Sequence, residues 1–99
     1  MAQHFRVGRL SQEIQREVND ILLKRVRDPR VKDVTITGVE VSGDLQHATI
    51  YYSILSDKAS DEKKVQTGLD KATSLIRGEL GHRLSIYVTP EIKFERDKS

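Results

Sequence analysis

Val34-Thr35-Ile36-Thr37-Gly38-Val39-Glu40-Val41-Ser42-Gly43-Asp44 is the stretch on which the fold turns. Apolar and polar residues alternate through Val34–Thr37 and again through Val39–Val41. That is the two-residue period of a strand with one buried face. The apolar phase slips by one residue at Gly38, which predicts a bulge or a bend there. Ser42-Gly43-Asp44 carries turn chemistry. Beyond it, Ala48, Ile50, Tyr52 and Ile54 alternate with Thr49, Tyr51 and Ser53. The run is rich in β-branched and aromatic residues, so the two segments read as a hairpin.

Upstream, Val7, Leu10, Ile14, Val18, Ile21, Leu22 and Val26 recur at three- and four-residue spacing. They predict an amphipathic helix from Arg6 to Arg27, ended by Pro29, which disfavours helical geometry at Asp28. Downstream, Ser60 is the expected N-cap of a second helix, with Asp61 and Glu62 in its first turn where the dipole favours anions. Val65, Leu69, Ala72, Ile76 and Leu80 keep helical spacing, and Gly81 is the expected terminator. Leu84, Ile86, Val88, Pro90, Ile92 and Phe94 share one parity, a long last strand in which Pro90 marks an edge or a bulge. The order is α-β-β-α-β, with the second helical stretch open to a break. Helices on one face of a three-stranded sheet form a compact α+β domain.

The chain has 99 residues, enough for one domain over 1–99 and one modest core. Without cysteine it has no disulfide framework, no thiolate metal site and no cysteine nucleophile, which fits a reducing cytoplasm. Its longest aliphatic run, Ile21-Leu22-Leu23, is far short of the roughly 20 residues of a membrane span, and the N-terminus has no apolar signal region. His4, His47 and His82 lack metal-ligand spacing, and no carboxylate pair, Walker loop or dinucleotide fingerprint stands out. A non-enzymatic protein without metal or cofactor is expected.

The net charge of +2 is uninformative as a total. Residues 1–32 hold eight cations and four anions, net +4, which leaves nine and eleven, net −2, for the remainder. A basic end on a small domain points to a polyanion, although a solvated charged helix gives the same count. Gly78-Glu79-Leu80-Gly81 matches the G-x-x-G of KH domains, but Glu79 would repel phosphate and Leu80 keeps the apolar register. A helix end capped by Gly81 is the better reading. Ala72-Thr73-Ser74 places two hydroxyl residues in mid-helix, where they either bend the helix or face solvent, with Lys71, Arg77 and Arg83 around them.

Arg6-Val7 to Leu22, the turn Arg27-Asp28-Pro29-Arg30-Val31, the run Val34 to Leu45 and the ending Arg83-Leu84 through Thr89-Pro90-Glu91-Ile92-Lys93-Phe94 resemble, in order, the bacterial ribosome-binding factor A family. The resemblance covers almost the whole chain and is specific as an ordered set. It implies a type II KH-like fold of order α-β-β-α-kink-α-β. It also implies binding to the free small (30S) ribosomal subunit and its 16S rRNA, a part in late rRNA maturation, and importance in the cold. Assembly GTPases enter as further partners, and a monomer is expected. In that family an Ala-x-Gly kink replaces the G-x-x-G loop. Here Ala72 matches and Ser74 stands where Gly is expected, so the serine is expected to cap the following helix. The family also continues past its last strand in a mobile tail, so a tail is expected to be missing after Ser99.

Arg6, Arg9, Lys24, Arg25, Arg27, Arg30, Lys71, Arg77 and Arg83 are the candidate phosphate partners, and about half are expected to be solvated or paired with a nearby carboxylate. Arg16, with Glu13 and Asp20 at pairing distance along the helix, is set aside. With few aromatics, shape and phosphate contacts should outweigh base stacking. A general KH-type binder of single-stranded RNA and a protein-interaction module using the Arg27–Lys32 loop are the alternatives.

Overall fold

Ile14, Val18, Ile21 and Leu22 all lie buried on one side of helix α1 (Ala2–Lys24), as their spacing predicts. The structure is a computed structural model that describes residues 2–31, 34–55, 58–84 and 89–97, with the side chains of 2–7 outside the description. Helix α1 stops sooner than Pro29 alone would require. The Arg25 and Val26 amides both donate to the Ile21 carbonyl and close the helix end. The Asp28 carboxylate then accepts from the Arg30 amide at 2.9 Å and starts a 3₁₀ turn, Pro29–Val31.

Strand β1 (Thr35–Val41) pairs antiparallel with β2 (His47–Ser53), and β2 pairs in parallel with β3 (Glu91–Arg96), in the order β1-β2-β3. The register shifts between Ile36 and Gly38, so Thr37 is the extra residue of a bulge. That insertion keeps Ile36 opposite Tyr52, Val39 opposite Ile50 and Val41 opposite Ala48, all on the helix-facing side. In the connecting turn the left-handed residue is Leu45, at φ 62°, and Gly43 is ordinary. Asp44 holds the turn by accepting from the Ser42 hydroxyl and the Gln46 amide.

Helix α2 (Ala59–Leu84) buries Val65, Leu69, Ala72, Ile76 and Leu80. It is one helix through Ala72-Thr73-Ser74, so no second helix starts there for Ser74 to cap, which corrects the expected cap and the expected break. Leu69 and Ile76 are fully buried on either side of those residues, and the Thr73 hydroxyl donates within the helix to the Leu69 carbonyl at 3.0 Å. Packing thus anchors both turns to one core, and the hydroxyl bonds inside the continuous ladder. Ser60 lies inside the first turn, which begins at Ala59, so it is not the cap. Gly81 does not end the helix either. It sits within α2 where a Cβ would come 2.5 Å from the Thr89 hydroxyl oxygen, so its role is close approach. The expected strand residues Ile86 and Val88 lie outside the described residues, and Leu84 belongs to α2.

Gly78 is the opposite case: it is exposed in α2, and an added Cβ would meet nothing within 4 Å. Gly78→Ala is therefore expected to raise stability by about 0.5–1 kcal/mol, read as a shifted urea midpoint with unchanged slope. A loss of stability would mean the helix is not continuous there.

Candidate nucleic-acid interface

The solvent side of α2 carries Ser60, Lys63, Lys64, Thr67, Lys71, Ser74, Gly78 and His82, all exposed. Each follows another by three or four residues, so they form one ridge along the helix. One carboxylate, Asp70, is exposed at its edge, three residues from Thr67 and seven from Lys63, and accepts from Gln66 Nε2 at 3.0 Å, while Asp61 and Glu79 lie on the flanks. Lys63, Lys64 and Lys71 make no ion pair among the described residues, and they span about 12 Å of helix axis. Three lysines against one edge carboxylate leave the ridge net positive, so it attracts anions.

The Arg27–Val31 turn packs against the flank of this ridge at Gly68, whose Cβ position lies 2.9 Å from Val31 Cγ1 and 3.3 Å from Arg30 Cβ. Arg30, Ser60, Lys63, Lys64 and Thr67 line a shallow groove of about 340 Å³. Arg30 also donates from Nε and Nη2 to Asp28. The Arg30 guanidinium, helped by the Arg30 amide, pushes the Asp28 carboxyl down to about 2, with Lys71 adding a smaller pull. Arg27 is exposed and unpaired among the described residues.

The other expected phosphate partners are spread elsewhere. Arg83 donates to Glu17 and Asp20 of α1, at 3.1 and 2.6 Å, and reaches Glu79 at 3.4 Å. Lys24 pairs with Asp20 at 3.1 Å and Arg25 lies 3.7 Å from Glu79. Three cations and three carboxylates therefore neutralise one another at the seam between the two helices. Arg77 donates to the Thr89 and Pro90 carbonyls and lies 3.6 Å from Glu91, so it pins the start of β3. Arg9 pairs with Glu13 at 3.5 Å, and the Arg6 side chain lies outside the described residues. Arg16 lies beside Glu17, at 3.6 Å. Of the sequence candidates, the structure brings Arg30 and Lys71 to one place, on either side of Asp28, and Arg27 precedes that turn. Sequence reasoning missed Lys63 and Lys64, although their distances of eight and seven residues from Lys71 already put all three on one helix face.

The opposite surface is unlike the ridge. The outer face of the sheet presents Glu40, Glu91, Glu95 and one cation, Lys93, with Asp97 just beyond β3. The Tyr51 hydroxyl donates to Glu40 at 3.1 Å, and Thr37 donates to Asp97 at 2.9 Å. The bond to Glu40, then desolvation and the charges of Glu40, Glu95 and Asp97, raise the Tyr51 pKa. Phosphates are repelled there, so the molecule has one face for anions and one against them. Among the described residues no cluster of side chains fits a metal ion, and no helix is long and apolar enough to cross a membrane.

The depressed carboxylates set the acid response. Asp28 is lowered by Arg30, and Asp20 is lowered by its bonds to Arg83 and Lys24. Each contributes stability that is full above the ordinary Asp pKa of 3.8 and is lost as pH falls toward the folded value. Urea midpoints should hold down to about pH 4 and decline from there toward pH 2. The decline should be smaller in Asp28→Asn, whose residue does not titrate.

Fold and surface together define a small KH-like α+β domain with a cationic helical ridge. The sequence profile described as ribosome-binding factor A matches residues 6–99. The ribosome-binding factor A of Lactiplantibacillus plantarum is 79% identical over 99 residues, which are all of this chain and 85% of that protein. The chain belongs to the ribosome-binding factor A family. The solution structure of a Thermotoga maritima protein given the same description superposes with a TM-score of 0.83 at 35% identity, over 96% of this chain and 90% of that one. Coordinates for the Thermus thermophilus factor, fitted into a cryo-EM map of its complex with 30S, share the fold with a TM-score of 0.70 at 18% identity, over 86% and 88% of the two chains.

Proposed function

We propose that this chain binds the free 30S subunit by laying the α2 ridge along phosphates of its 16S rRNA, and that it acts there as a non-catalytic factor in late maturation. The net cationic ridge, with Lys63, Lys64 and Lys71 in no ion pair among the described residues, carries this reading. Family membership supports it, as does the 30S complex of the Thermus factor. The mechanism is electrostatic. Lysines neutralise phosphates and release condensed counterions, which favours association and makes it depend on salt. A protein that binds one conformation of an rRNA segment more tightly than another shifts the population toward it by that difference in affinity. No bond to the RNA need form or break. Cold prolongs the lifetime of misfolded RNA helices, so the benefit of such holding is greatest there. Assembly GTPases are the partners this reading adds, as agents of release.

The test is co-sedimentation with separated subunits at 50 and 200 mM salt. The expected result is recovery with small subunits at the lower salt and a loss of about tenfold or more in affinity at the higher. Absence from small subunits at low salt would end this reading.

A further inference from the structure

Beside the ridge lies a second groove, of about 280 Å³, between the Pro29–Val31 turn, the end of β2 and the start of α2. We infer that it seats one unpaired nucleobase of the RNA whose phosphates lie on the ridge. This rests on the phosphate reading above and adds a base-holding subsite to it.

The walls are apolar: Pro29, Ile54, Leu55 and Val65. Leu55 is 95% exposed, the most exposed large apolar side chain among the described residues. Arg30 and Lys64 line this groove and the neighbouring one with Lys63 and Thr67, so apolar walls and cationic ridge meet without a gap. A nucleotide has the matching chemistry, a flat apolar ring joined to an anion. The groove is smaller than the clefts of about 300–1,000 Å³ that take drug-sized ligands, which suits a single ring system.

Arg30 has a particular place in this arrangement. Asp28 occupies its Nε and Nη2 edge, so most of its charge is spent internally. The side chain is still 34% exposed and lines the groove, so its planar face remains for stacking on a base, held still by Asp28. Arg30 thus moves from phosphate partner to stacking plate. Asp61, also in the lining, disfavours a phosphate inside the groove, so the ring enters and the phosphates stay on Lys63 and Lys64.

The test is methyl and amide NMR of the full chain titrated with hexaadenosine RNA and with a ribose-phosphate hexamer that lacks bases. The Ile54, Leu55 and Val65 methyls should shift with hexaadenosine only, and the Lys63–Lys71 amides with both. Leu55→Ala, which touches no core, should weaken hexaadenosine binding about five- to tenfold and leave its salt dependence unchanged. Ridge amides that respond while the methyls stay silent would overturn the base subsite and leave the phosphate reading standing. Silence in both would overturn the two together. Weaker subunit binding by Leu55→Ala with unchanged hexamer binding would place a protein in the groove and overturn the inference.

Discussion

Replacing Lys63, Lys64 and Lys71 together by Glu is expected to lower affinity for small ribosomal subunits at least about a hundredfold at 50 mM salt. All three ammonium groups stand on one ridge, with Asp70 the one carboxylate at its edge among the described residues. A bond between a charged group and a phosphate contributes about 1 kcal/mol or more, and a carboxylate in its place adds repulsion. If the three lysines each neutralise one phosphate, the log–log salt slope should also fall by about 2 to 3. Folding should be nearly untouched, because the three side chains are exposed and unpaired among the described residues. Lys93→Glu on the outer face of the sheet is the control, and it should change binding little. Equal affinity of the triple variant and the parent would remove the ridge from the RNA interface.

The lysines also show where sequence reading stopped. Counted along the chain, Lys63 and Lys64 directly follow Asp61 and Glu62 and vanish into a segment of net charge −2. Only the helical angle separates them, because the acids turn toward the flank and the core while the lysines turn to solvent. Arg83 is the reverse case. Its sequence neighbours do not predict that Glu17 and Asp20, more than 60 residues away, will hold it. Such long-range pairing is set by how α1 lies on α2, which no local pattern encodes.

The strand pattern was more legible. A phase slip at Gly38 has one cheap structural solution, an extra residue in β1, because every later apolar side chain must return to the core face. The absence of a break after Ser74 was less so, since local hydroxyl chemistry at Thr73 and Ser74 competes with the core on both sides. Burial of Leu69, Ala72 and Ile76 against one sheet outweighs a single side-chain bond.

Gly68→Leu is expected to cost about 3 kcal/mol of stability and also to dismantle the nucleotide-holding side of the ridge. Even one added carbon at Gly68 would stand 2.9 Å from Val31 Cγ1, 3.3 Å from Arg30 Cβ and 3.4 Å from Asp28 Oδ2. Val31 is buried and its β-branched side chain has little rotamer freedom, so it cannot yield. Gly68→Ala therefore sets a helix-propensity gain of about 1 kcal/mol against a clash of similar or greater cost, and a net loss is expected. With Leu the clash is no longer balanced, and the Pro29–Val31 turn must lift from α2. Arg30 and Asp28 move with it, and the shared lining with Lys63 and Lys64 opens. Urea unfolding reads the first effect. The second is read under conditions where the variant remains folded: hexaadenosine affinity should fall while the salt slope, set by Lys63, Lys64 and Lys71, stays near its parent value. A variant that lost stability but bound hexaadenosine as tightly as the parent would show that the turn takes no part in holding RNA.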